Sequence, residues 1–271
     1  MGIAKDDISD LRYAKTLLEN PSLAARISNL LGTPIEKGFE HLPATWKDAV
    51  QRATEKSLEK ALNFAIRTMN DKTKPASSDK THKILAIATG AGGGTFGLPA
   101  LTIELPVTTT IMLRSIADIA RSEGEQISLL EPKIACLEVF ALGGRSKSDD
   151  GTETGYFVVR AALARIISEA TNYIADLGLA REGAPVIVKL IAALASRFGI
   201  IVSEKVAAQA IPLIGAAGGA LINTIFIDHF QNMARGHFTV LRLERLYGRD
   251  LVKQEYDKLP PVGGQCNADR Q

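Results

Sequence analysis

Residues 206–229 read VAAQAIPLIGAAGGALINTIFIDH, and this stretch decides the fold. No charged residue occurs between Val206 and Ile227, and charge returns at Asp228. Pro212, Gly215, Gly218 and Gly219 lie inside the run. A second run, Ile84 to Ile103 (ILAIATGAGGGTFGLPALTI), is equally free of charge and ends at Glu104. Gly90 precedes Glu104 by 14 residues, and Gly215 precedes Asp228 by 13. Both runs carry a small-xxx-small spacing, Gly90 to Gly94 and Gly215 to Gly219, which lets backbones approach closely. The two runs read as related helical hairpins.

Helical spacing is widespread around them. Asp6 to Leu31 is amphipathic, with Pro21 interrupting it. Trp46 to Met69 places Val50, Ala53, Leu58, Ala61, Leu62, Ala65 and Ile66 on one face. Tyr156 to Leu177 and Ala184 to Lys205 are apolar helices, and Pro185 suits the first turn of the latter. A charged helix runs from Asp228 to Tyr247, and Gly248 is placed to stop it. Period-two alternation with hairpin turns is scarce. The fold class is all-α: a single large helical domain with two Gly-rich apolar helical hairpins. Residues 71–79 (DKTKPASSD) read as a linker, so residues 1–80 form N-terminal amphipathic helices. Residues 81–250 form the helical core, and 251–271 a disordered tail.

Composition narrows the function classes. The chain has 271 residues, 46% of them hydrophobic and 23% charged, which suits a packed core. Its 32 basic and 30 acidic residues nearly balance, and no nucleic-acid-binding motif appears, so nucleic acid is not an expected partner. The two cysteines, Cys136 and Cys266, read as unpaired thiols, and no metal-ligand spacing is present. The N-terminus, MGIAKDD, shows no apolar signal core.

Each uncharged run is about 20 residues, the length that spans a bilayer. Proline, glycine and threonine lower their transfer energy, and no aromatic belt brackets them. Buried core helices, contact with a membrane and a true span all remain open readings at this level. No P-loop, Gly-x-Ser-x-Gly or His-Glu-x-x-His motif occurs. Gly92-x-Gly94-x-x-Gly97 matches the dinucleotide spacing, but no βαβ unit surrounds it. No cofactor is expected.

Acids in apolar surroundings mark the candidate polar positions, because a buried carboxylate needs a partner. Glu104 and Asp228 are the two. Arg114 and Asp118, four apart, can pair on one helix face. His229 and His237 are eight apart, about 80° and about 12 Å along a helix, so they cannot share a metal. A network fixing helix register and a pocket for a ligand head group are both open readings.

Several stretches resemble the EcsC family: Thr89–Asp118 (TGAGGGTFGLPALTIELPVTTTIMLRSIAD), Leu137–Gly144 (LEVFALGG), Ala195–Lys205 (ASRFGIIVSEK) and Gly219–Phe238 (GALINTIFIDHFQNMARGHF), continuing through Val240–Gly248 (VLRLERLYG). The resemblance covers roughly residues 45–250. Glu104, Arg114, Asp118, Glu138, Asp228, His229, Arg235 and His237 fall inside the matching stretches and are the candidate ligand-binding residues. The family is named for a protein encoded beside an ABC transporter. The resemblance therefore implies a cytoplasmic helical accessory or binding protein, peripheral to the inner membrane, with a membrane lipid or membrane protein as partner. Two rivals stand beside it: an enzyme using a pocket around Glu104, Asp228 and His229, and a soluble scaffold that captures a protein through residues 1–80. Neither a catalytic residue nor an oligomeric state follows from the sequence.

Overall fold

The computed structural model describes residues 2–19, 23–69, 98–143, 155–178, 184–211 and 215–260. They form ten α-helices and one 3-10 turn, with no strand among the described residues. In chain order the helices are α1 (Lys5–Leu18), α2 (Leu23–Leu31), α3 (Glu36–Glu40), α4 (Trp46–Thr68), α5 (Leu98–Ser122), α6 (Leu130–Glu138), α7 (Gly155–Leu177), α8 (Pro185–Ala210), α9 (Gly215–Tyr247) and α10 (Arg249–Lys258). The 3-10 turn, Val139–Ala141, follows α6 directly. The protein is all-α, as its spacing predicts.

α9 is the axis of the molecule. Its 33 residues reach about 50 Å at the usual rise. Phe226, Phe230, Met233, Ala234 and Phe238 recur at three- and four-residue intervals and are all buried. Phe226 and Phe230 meet Phe198 of α8 and Phe140 of the 3-10 turn, with ring centroids 5.0–6.2 Å apart. Gly248 ends α9: its φ of 85° suits glycine, and its N–H donates to Glu244 O at 2.9 Å.

The polar contacts fix the directions of α9's neighbours. Ser115, Glu123 and Glu125, in that order along the chain, meet Gln231, Arg242 and Arg245 of α9. α5 and α9 therefore run parallel. α1 is antiparallel to α9: Asp7 and Asp10 bind Arg242, whereas Ala14 and Leu18 lie against Gly236. At Gly236 an added Cβ would stand 2.6 Å from Leu18 Cγ and 3.0 Å from Ala14 O, so α1 and α9 cross in close contact because this residue is glycine.

Two expectations change at this level. The N-terminal helices are not a separable layer. Leu11, Ala14, Leu23 and Ile27 belong to one continuous core with residues as distant as Tyr256. Lys15 Nζ, itself buried, donates to Tyr256 O and Leu259 O, each at 2.9 Å. Second, residues 251–258 are helical, not a tail: Val252 and Tyr256, four apart, are fully buried. The rest of the expected tail, 261–271, lies outside the described residues. The run from Val206 to Ile227 is divided between two helices, as a hairpin requires. α8 stops at Ala210, Ile211 adopts extended ψ (123°), and α9 starts at Gly215. The glycines of the first run lie outside the described residues.

Candidate functional site

Each candidate residue is placed by one of three helices, α5, α6 or α9. Glu104 sits in the first turns of α5, buried, and its Oε1 lies 2.6 Å from Lys205 Nζ of α8. The same ammonium stands 4.9 Å from the centroid of the Phe226 ring. Lys205 has no solvent exposure, so the pair and the aromatic face together replace its hydration. Arg114 and Asp118 do not pair. Asp118 binds Arg121 one turn on, and Arg114 lies over the Phe64 ring of α4 at 4.7 Å.

His229 is buried against the 3-10 turn's exit. An added Cβ at Gly143, whose φ is 78°, would meet His229 Nε2 at 2.6 Å. Burial, reinforced by the charge of Arg26, holds the imidazole down to about 4, so it is neutral near pH 7. Asp228, its neighbour in sequence, is half-buried. Arg235 donates to Asn232 Oδ1 at 3.3 Å on its own helix.

The remaining two candidates come together. His237 of α9 and Glu138 of α6 approach to 3.9 Å between Nε2 and Oε2. Tyr156 and Arg160 of α7 complete the cluster. Arg160 donates to Tyr156 Oη at 3.3 Å, and Tyr156 Oη lies 2.9 Å from His237 Nδ1. The arrangement fits a tyrosine hydroxyl that accepts from Arg160 and donates to Nδ1, the tautomer that puts the histidine proton on Nε2, towards Glu138. Burial, with Arg160 nearby, holds His237 well below the usual imidazole range and keeps it neutral. Arg160 also makes a two-pronged pair with Glu244 of α9, at 2.8 and 2.9 Å.

Glu138 differs from its neighbours. Only 9% of it is exposed, and no hydrogen bond reaches its carboxylate among the described residues. Burial pushes its carboxyl up to about 7; Arg160 and Arg249 pull it down, and Glu244 pushes it up. It lies in the wall of a cleft of about 290 Å³ between α6, α7 and α10, which Arg160, Ser168, Asn172 and Arg249 also line. Sequence reasoning had named Glu138 and His237 but not Tyr156, Arg160, Glu244 or Lys205 as site residues. The available signal was Tyr156 and Arg160, polar groups four apart in the otherwise apolar stretch 156–164.

The EcsC protein family model matches residues 14–243. The chain belongs to the EcsC family. The match begins 31 residues before the stretch from residue 45 that the sequence motifs marked, so it takes in part of α1 and all of α2. This agrees with the packing of those helices into the EcsC core. Every candidate residue named above lies within the matched range. No curated protein and no solved structure matches this EcsC-family chain.

Proposed function

We propose that this EcsC-family protein is a helical accessory or binding protein that docks on the cytoplasmic face of a membrane, beside a transporter. The observation that supports it most is a difference between the two ends of the α5–α9 pair. Ile103 (75% exposed) and Val107 of α5 and Leu221 of α9 are large, apolar and solvent-facing. Ser115 and Gln231 are level with each other. Val107 precedes Ser115 by about 12 Å of helix and Leu221 precedes Gln231 by about 15 Å, so these side chains sit at the same end. At that end the two uncharged, glycine-rich runs join the helices. The other end is charged: Arg242 binds Asp7, Asp10 and Glu123, and Arg245 binds Glu125.

α8 adds to this reading. It alone among the described helices is long and apolar enough to cross a membrane, yet only 39% of its most apolar stretch is buried. Its last turn arrives at the same apolar end, four residues before α9 begins. Apolar side chains presented at one end suit insertion into the boundary between headgroups and acyl chains. The scaffold alternative loses support, because α1 and α2 spend their apolar faces in the core.

Co-sedimentation of the full chain with phosphatidylethanolamine–phosphatidylglycerol vesicles tests the proposal. Binding is expected to survive high salt, which screens charge but not apolar contact. The double substitution Ile103→Asp, Val107→Asp is expected to release the protein. Wild-type protein that stays in the supernatant at every lipid concentration contradicts the proposal.

A further inference from the structure

The cleft between α6, α7 and α10 lies apart from the apolar end, and its chemistry is unspent. We propose that it binds a small zwitterion of amino-acid size, with the ligand's cationic group on Glu138 and its anionic group on Arg249. The inference stands independently of membrane docking.

Two side chains of opposite charge carry it. Glu138 is nine-tenths buried, opens on the cleft and accepts no hydrogen bond among the described residues. A carboxylate in that state is costly unless a partner arrives. Arg249 opens α10 at the rim of the same cleft, is exposed and makes no salt bridge among the described residues. The two lie farther apart than a salt bridge, so neither satisfies the other. A molecule that satisfies both must carry a positive and a negative group.

The other lining residues restrict it further. Arg160 offers no free charge, because Glu244 takes both arms of its guanidinium. Ser168, Thr171 and Asn172 supply neutral hydrogen-bonding groups, Glu131 adds an exposed carboxylate on the side of the ligand's cationic group, and Ala135, Ala164 and Ile167 make a short apolar wall. About 290 Å³ is at the small end of ligand sites, which excludes nucleotides and acyl chains.

Protonation of Glu138 then couples to binding. Its carboxyl, pushed up to about 7, is faced by His237 and Glu244 of α9, Tyr156 and Arg160 of α7, and Arg249 of α10. His237 and Tyr156 stay neutral in their burial, so Glu138 is the group among these that titrates near neutrality. A bound ammonium favours the carboxylate, so binding releases a proton and tightens as pH rises through about 7.

Isothermal titration of the full chain with the standard free amino acids and glycine betaine tests this, with butylamine and butyrate as single-charge controls. At least one zwitterion is expected to bind about tenfold or more tighter than either control. Its binding heat should vary with the ionisation enthalpy of the buffer, reporting the released proton. Arg249→Gln, at an exposed position that folding does not need, should weaken it about tenfold, and Glu138→Gln at least as much. Absence of binding by every zwitterion overturns the proposal. So does binding of butyrate or butylamine as tight as any zwitterion's, or an affinity unchanged by Arg249→Gln. Vesicle binding by Arg249→Gln protein should match wild type, so the two proposals fail separately.

Discussion

Lys205 is a fully buried ammonium whose charge is answered by Glu104 and the Phe226 face. Lys205→Met leaves the Glu104 carboxylate buried alone and should cost about 3–5 kcal/mol in a denaturant titration. Adding Glu104→Gln should recover most of that loss. A single variant as stable as wild type would show that the pair is solvated. The sequence flagged Glu104 because it interrupts two uncharged runs. Its partner was not legible, since Lys205, 101 residues away, stands where the apolar spacing of its helix gives out, and a lysine there reads as solvated. Glu138 brings a pH dependence with a definite sign. A carboxyl raised to about 7 stabilises the fold fully below its ordinary value of 4.5 and loses that contribution as pH rises through about 7. Glu204, half-buried at the α2 N-terminus and raised to about 7 chiefly by burial, acts in the same direction. His229, lowered to about 4, contributes above its ordinary 6.5, and this is lost as pH falls through about 4. Glu138→Gln should therefore reduce, without abolishing, the fall in melting temperature between pH 5 and pH 8, and leave the acid side unchanged. An identical alkaline slope in both proteins would contradict the assignment.

At the scale of elements, helix faces were legible and helix crossings were not. α4 buries Val50, Ala53, Leu58, Ala61, Leu62 and Ala65, the face its spacing marks out. Tyr247 and Gly248 end α9 where the sequence says they should. α10 was hidden because only two buried residues, Val252 and Tyr256, hold it, and a window so polar reads as solvated chain. The crossings depend on single glycines with no local signature. At Gly38 an added Cβ would fall 1.9 Å from Ala207 O, so α3 touches the backbone of α8. Gly236→Ala must push aside Leu18 and the Ala14 carbonyl, and should cost about 1–3 kcal/mol. Gly38→Ala meets backbone rather than a flexible side chain, and should in addition raise amide exchange across α3 and the facing turn of α8. Unchanged exchange there would mean that α3 does not pack as described.

For the whole molecule, one core joins α1 to α10, although residues 1–80 read as amphipathic helices outside the helical core at 81–250. That reading followed the polar linker at 71–79 and the strong amphipathicity of the first helices. It missed that their apolar faces are spent on α9 and α8. Removing residues 1–18 uncovers Gly236, takes away the Lys15 bonds to Tyr256 and Leu259, and breaks the Asp7 and Asp10 pairs with Arg242. The shortened chain should lose its cooperative thermal transition. A sharp transition close to the wild-type temperature would restore the reading of these helices as outside the core. The family match from residue 14 places most of this arrangement inside the EcsC unit. The helices α5 and α9 run parallel, with Ile103, Val107 and Leu221 facing outward at the end where both begin. The central claim is that this end meets the bilayer, and depth-dependent fluorescence quenching tests it directly. A probe on Val107→Cys, in a Cys266→Ser background, is compared with one on Leu246→Cys at the charged end, using vesicles whose acyl chains carry a quencher. Strong quenching is expected at position 107 and little at 246. Equal quenching at both positions, or none at 107, would contradict it.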